Sequence, residues 1–188
     1  MFDSLLSLDR ELLIYLNNLG SETYDSFWIF VTHQKNWIPF FLFIFISLFL
    51  KIRRNEFLKL MLAVAITLAF TLILTEGTKE LVQRLRPSQE PDLQNILRIL
   101  SRPTNYSFFS GHASTSLAVA VFLWLSLRRR MKWIGIFFIW PVFFVSSRIY
   151  LGVHYPSDIL MGLIVGATIG FLAYQIAVKK LHLLDHTN

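Results

Sequence analysis

Apolar positions along this chain recur at helical rather than strand spacing. Over residues 4–18, Leu5, Leu8, Leu12, Leu13 and Leu16 return every few positions with Asp9, Arg10 and Glu11 between them, the pattern of an amphipathic helix. That segment is too short and too charged to cross a bilayer, so it is expected to lie in the interface. Asn18-Leu19-Gly20 supplies its stop signal. A second apolar stretch, 24–32, reads as an interfacial or partly inserted helix leading into the first span. Five spans follow, over about residues 37–50, 57–75, 113–127, 133–145 and 159–178. Several fall short of the ~20 apolar residues that a hydrocarbon core requires, so polar turns at one end must extend them. The first, 37–50, is expected to begin earlier, near Tyr24. Pro141 inside the fourth predicts a kink. Gly162, Gly166 and Gly170, four apart in the fifth, predict one small face for close helix contact.

The fold class is therefore an all-α integral membrane protein. It is a bundle of about five transmembrane helices (six if 24–32 inserts) with an N-terminal interfacial amphipathic helix. Residues 1–188 read as one domain, with 1–35 as the interfacial segment and 79–158 carrying the chemistry. Composition agrees: hydrophobic residues make up 54% of the chain and 18 are phenylalanine, more than a soluble core of this length needs. The net charge of +6 would also suit a nucleic-acid binder. Here, however, the basic residues flank apolar runs as juxtamembrane charges do, so no nucleic acid is expected as a partner. The absence of cysteine removes thiol nucleophiles, disulfides and thiolate-bound metals. The N-terminus has no basic region of the kind that precedes a cleavable signal, and the spans are expected to direct insertion.

Charge also orients the bundle. Lys51, Arg53 and Arg54 end the first span, Arg128, Arg129, Arg130 and Lys132 separate the third and fourth, and Lys179 and Lys180 end the fifth. The positive-inside rule puts these groups in the cytoplasm. Five spans then leave the N-terminus outside, and the span ends carrying Lys79, His112 and His154 share the outer face. Arg84, Arg98 and Arg102 lie outside too, so the asymmetry is local.

Those span ends hold three polar clusters. In the first, Lys79 and Arg86 are seven apart, two helical turns, with Gln83 between them on the same stripe and Pro87 ending the helix. Two cations on one stripe can grip a phosphate; alone, they read first as a basic helix end among lipid headgroups. In the second, Ser110-Gly111-His112 opens a span. Free backbone N–H groups at a helix start attract an anion, and Gly111 permits close approach. Taken alone it is also an ordinary capped start. In the third, Arg148 precedes His154 by six and Asp158 follows it by four. The carboxylate can hold one ring nitrogen's proton and leave the other nitrogen free to attack. The bland alternative is a helix-start acid beside a loop histidine. Ionisable groups at a membrane edge are expensive, and their coincidence on one face is what carries a functional reading.

The clusters Lys-x6-Arg-Pro, Ser-Gly-His and Ser-Arg-x5-His-x3-Asp resemble the signature of the type-2 phosphatidic acid phosphatase superfamily. The first and third match in full, and in the second Phe109 stands where the family usually has proline. The short layout with the motifs outside is similar to the bacitracin-resistance type of undecaprenyl-diphosphate phosphatases. The resemblance implies a two-step phosphoryl transfer without cofactor or metal. His154 forms a phosphohistidine, Asp158 orients it, and His112 protonates the leaving oxygen and then activates water. Lys79, Arg86, Arg148, Ser110 and Gly111 hold the non-bridging oxygens. The expected partners are membrane lipids and a lipid phosphate or diphosphate. Undecaprenyl diphosphate leads, and phosphatidylglycerophosphate, phosphatidic acid and lipid A are the alternatives. The expected site faces outward from a bacterial cytoplasmic membrane. A phosphate-binding transporter or sensor would need only the cations, and the intact His112, His154 and Asp158 count against it. The connection 88–107 is expected to carry a short amphipathic helix over 91–100 that covers the site, or to be a passive loop.

Overall fold

The computed structural model describes residues 2–181 and 183. The side chains of Lys179 and Lys180, counted above among the inner basic groups, lie outside the described residues. All regular structure among the described residues is helical: α1 (Phe2–Asn18), α2 (Glu22–Thr32), α3 (Ile38–Lys51), α4 (Arg54–Val82), α5 (Gly111–Leu127), α6 (Ile139–Tyr150) and α7 (Pro156–Tyr174), with short 3₁₀ turns between them. Among the described residues, three stretches are long and apolar enough to cross a membrane, Arg54–Leu93, Lys132–Tyr150 and Pro156–Val178. A fourth crossing follows if α2 and α3 count as one span, and α5 is a shorter apolar helix. Large apolar side chains lie exposed along α3, α4 and α7, among them Phe49, Ile66, Phe70, Ile73, Leu160 and Ile164. On a bundle of this kind such a surface faces lipid. The chain is a multi-pass integral membrane protein.

The first crossing does not start smoothly at Tyr24. The chain bends by 75° between α2 and the Gln34–Lys51 stretch. Side chains explain the break: Trp37 Nε1 donates to Val31 O at 2.8 Å and Asn36 Nδ2 to Phe30 O at 2.6 Å. Carbonyls at the end of α2 are thereby satisfied without another helical turn.

Two local expectations are corrected. α4 stops at Val82, and Gln83 takes a left-handed φ of 52° with its N–H on Lys79 O, a helix-ending cap. Lys79 and Arg86 therefore share no helical stripe, and Gln83 is exposed. Pro87 still acts as expected on its neighbour, holding Arg86 extended at φ −77°, ψ 152°. Pro141 kinks no long helix, because residues 132–138 are 3₁₀ and α6 begins at Ile139. In that first turn the missing N–H of Pro141 has no intrahelical acceptor to lose.

An apolar core fills the inner part of the bundle, centred on Leu48, Leu60, Phe122, Leu127, Ile134 and Phe144. A smaller cluster of Leu13, Leu93, Leu97 and Tyr155 seals the other end beneath α1. The connection 88–107 is thus packed down on α1 by Leu93 and Leu97. Only Pro91–Leu93 of the expected 91–100 helix is helical, as a 3₁₀ turn. Asn17 is fully buried beside it: its Nδ2 donates to the carbonyls of Arg98, Ile149 and Tyr150, and its Oδ1 accepts from Arg98 N at 2.7 Å.

α5 and α7 pack most closely, on the glycine face. A Cβ at Gly162 would lie 2.7 Å from Ser110 O, and one at Gly166 would collide with Ser114 O. Backbone touches backbone, so the N-termini of α5 and α7 lie side by side, joined by Ser110 N donating to Asp158 O at 3.0 Å. Buried threonines on α4 satisfy themselves through carbonyls four residues back, and Thr75 also meets Ser114 Oγ at 3.0 Å.

Candidate active site

The sequence clusters converge where α5 and α7 begin. Ser110 caps α5, its Oγ accepting from Ala113 N at 3.4 Å, and the first amides of that helix follow at Gly111 and His112. The loop from α6 turns through Gly152, whose φ of 69° favours glycine, and Val153 N closes on Arg148 O at 3.1 Å. That turn delivers His154 to the front of α7, where Asp158 sits in the first turn.

His154 is almost completely buried. Its Nδ1 is 3.3 Å from Asp158 Oδ2 and 3.2 Å from Ser107 Oγ; its Nε2 is 3.0 Å from Arg86 Nη1. Asp158 is fully enclosed. Its Oδ2 also accepts from Tyr155 N at 2.9 Å and from the Ser107 hydroxyl, and its Oδ1 accepts from Arg84 Nη1 at 2.7 Å. Four donors thus converge on this buried carboxylate. Burial presses the His154 imidazole down to about 3, with Arg86 and Arg148 adding and Asp158 opposing. The ring is therefore neutral near pH 7, and the N–H donor Arg86 facing Nε2 leaves that nitrogen as the one with the lone pair.

The cations surround this pair. Arg86 Nε and Nη2 donate to Asn105 O and Oδ1, both at 2.8 Å, and its Nη1 also donates to Val153 O at 2.9 Å. That network fixes the guanidinium plane without help from a helix. Arg148 Nη1 donates to Thr32 Oγ1 of α2 at 2.6 Å, while its buried Nε has no partner, a donor that a bound oxyanion would satisfy. Lys79 is buried at the end of α4, its Nζ 2.6 Å from Glu76 Oε1 and 3.8 Å from where a Cβ on Gly111 would stand. His112 stacks on Phe144 with ring centroids 4.2 Å apart. It lies within electrostatic reach of Arg148, His154, Arg86 and Lys79. Every residue singled out in the three clusters, other than Gln83, thus gathers at one end of the bundle.

Several contributors were not anticipated from the sequence. Arg84 figured only as an outer charge, and Ser107, Asn105, Thr32 and Asp9 not as site residues at all. They come from a loop and from the two N-terminal helices, with no fixed spacing to the clusters. The arrangement offers a neutral, oriented imidazole, a second imidazole, three cations and a helix start, which is what capture and transfer of a phosphoryl group require. Among the described residues no group of three or more His, Cys, Asp or Glu could hold a metal ion.

Comparison with known proteins gives concordant results. The profile of the PAP2 superfamily matches residues 56–181. The lipid A 4'-phosphatase of Bacteroides thetaiotaomicron is 33% identical over 95% of this chain and 81% of its own length. The undecaprenyl-diphosphatase of Sulfolobus acidocaldarius is 31% identical over 91% of this chain and 79% of its own. A crystal structure of a transmembrane PAP2 type phosphatidylglycerolphosphate phosphatase from Bacillus subtilis superposes with a TM-score of 0.69 over 94% of this chain and 88% of that one, at 21% identity.

Proposed function

The chain belongs to the PAP2 superfamily, and from that membership we propose that it removes a monoester phosphate from a lipid A-type glycolipid at the outer face of a bacterial cytoplasmic membrane. The family and its relatives support a membrane phosphatase acting on lipid phosphates. The observation that carries the substrate is the near full-length similarity to a lipid A 4'-phosphatase. The site's chemistry fits: a sugar phosphate expels an alkoxide, which needs a proton, and His112, stacked on Phe144, is the residue assigned to give one. Undecaprenyl diphosphate, the leading expectation from sequence, becomes the second reading, favoured by the similarity to an undecaprenyl-diphosphatase. The outward-facing site rests on the cytoplasmic placement of the basic groups at 51–54 and 128–132.

In this mechanism the Nε2 lone pair of His154 forms the N–P bond as the P–O bond to the sugar breaks. The leaving oxygen takes its electron pair and a proton from His112. Asp158 holds the Nδ1 proton and the positive charge that develops on the ring. Lys79, Arg86, Arg148, Ser110 and the Gly111 amide hold the three non-bridging oxygens. Water then attacks phosphorus, His112 takes its proton, and the N–P electron pair returns to His154. Phosphate release from purified lipid A and from undecaprenyl diphosphate, by wild type and His154→Ala, tests the reading. Faster release from lipid A that vanishes in the variant is expected; a preference for the diphosphate would displace it.

A further inference from the structure

Asp158 faces two ways. One oxygen meets His154, Tyr155 N and Ser107; the other is bound by Arg84, a residue outside the three clusters. Arg84 Nη1 donates to Asp158 Oδ1 at 2.7 Å and to Ser157 Oγ at 2.8 Å, and its Nη2 donates to Asp9 Oδ2 at 2.8 Å. The guanidinium lies over the Tyr155 ring, 3.9 Å from its centroid. Asp9 belongs to α1, and its carboxylate is engaged on the far side as well. Its Oδ1 accepts from Ser157 N at 2.8 Å and its Oδ2 from Ser157 Oγ at 2.5 Å. Asp9 thus caps the start of α7 from outside that helix. Meanwhile α1 turns Leu5, Leu8 and Leu12 outward and Leu13 inward.

We propose that Asp9 and Arg84 form a positioning relay from α1 that sets the orientation and charge of Asp158, and through it the nucleophilicity of His154. The relay rests on the roles given to His154 and Asp158 above. Its logic is the ratio of charges. One guanidinium shared between two carboxylates fixes Asp158 by a charge-assisted bond without cancelling its charge. If Asp9 were neutral, Arg84 would answer to Asp158 alone, and that carboxylate would draw less on the His154 proton. If Arg84 were absent, Asp158 would lose the bond that fixes its second oxygen, and Asp9 would be left beside it as a like charge. The side-chain hydrogen bonds of Asp9 and Arg84 run to Asp158, to Ser157 and to each other, so the relay acts on turnover rather than on capture.

The test uses the full-length protein in detergent or reconstituted membranes, with Asp9→Asn, Arg84→Gln and Arg84→Lys beside His154→Ala and Asp158→Asn. Rates are normalised to the folded fraction from size exclusion and thermal unfolding. Asp9→Asn and Arg84→Gln are expected to lower kcat by about tenfold to a hundredfold with KM little changed, the scale of a modest misplacement of a reacting group. Arg84→Lys, which can still reach one carboxylate, is expected to recover part of the loss. Losses that disappear on normalisation, or that fall on KM alone, would mark Asp9 and Arg84 as structural supports and overturn the relay. Equal kcat losses in the Gln and Lys variants would overturn it too. Should His154→Ala and Asp158→Asn abolish turnover while the three relay variants keep wild-type kcat, only the relay fails. Full turnover in His154→Ala would instead remove the reading beneath it.

Discussion

Arg86 donates to the ring nitrogen of His154 that points away from Asp158, Nη1 to Nε2 at 3.0 Å. The same guanidinium is pinned by Asn105 and by Val153 O, so its fork is oriented before any phosphate arrives. A lysine would keep the charge but could not make these bonds together. Arg86→Lys is expected to lower kcat/KM by about a hundredfold, the cost of one or two charged hydrogen bonds, in steady-state phosphate release. A loss of less than about twofold would mean that charge alone suffices there.

His112 is assigned to the leaving group, so its importance depends on what leaves. With a monoester substrate, His112→Ala is expected to cost roughly 10²–10⁴-fold in kcat. With a diphosphate, whose leaving phosphate is already a stable anion, the leaving-group share of that loss is expected to vanish, and only the share due to water activation remains. Equal losses on both substrates would remove the proton-donor role.

Activity is expected to persist in excess EDTA. Three buried cations and a helix start already surround the place where charge develops. Abolition by EDTA, followed by recovery on adding Mg²⁺, would require a different chemistry.

Burial holds the His154 imidazole at about 3, against 6.5 for an ordinary histidine. The groups facing it are Asp158, Ser107, Arg86 and Arg148. Between those two values the unfolded chain binds a proton that the native one refuses. The stability owed to this group is therefore complete above 6.5 and is lost as pH falls through the window. His154→Asn should show a smaller drop in unfolding temperature than wild type between about pH 7 and about pH 5. Identical drops would mean that another group governs the acid limb.

Gly166 brings α7 against the backbone of α5, and a Cβ there would collide with Ser114 O. Gly166→Val is expected to destabilise by about 1–3 kcal/mol or to rearrange the helix pair, read as a lowered unfolding midpoint. Gly77 has nothing within reach of an added Cβ, so Gly77→Ala should leave the midpoint nearly unchanged.

The helical bundle, the glycine face and the three clusters were readable because each is written in residue type and spacing: apolar runs, glycines four apart, a histidine four before an aspartate. What spacing could not give was the path of the chain between Lys79 and Arg86. Seven residues suggest two helical turns, yet Gln83 adopts a left-handed φ that no side-chain pattern required, and Arg86 reaches His154 from extended backbone. Pro141 departs from its expected kink for a related reason. The rule for proline within a helix was sound, but the helix started later than its apolar run. Arg84, Ser107 and Asp9 went unread as site residues because their role depends on which loops and helices meet, and α1 lies 149 residues before Asp158 when counted from Asp9. Substrate identity leaves the faintest trace, since every candidate lipid presents the same phosphoryl oxygens to the same cations.

Asn17 has a consequence for how the molecule is made. Its amide reaches the carbonyl of Ile149, supplied 132 positions later in synthesis. The first helix is therefore finished early and can dock on Leu93, Leu97 and Arg98, but its bonds to the carbonyls of Ile149 and Tyr150 wait until the sixth has been threaded into the bilayer. Nascent chains arrested before that point would lack those two bonds and an intact pocket. His154 and Asp158 follow later still, so their pair is completed only as α7 is made.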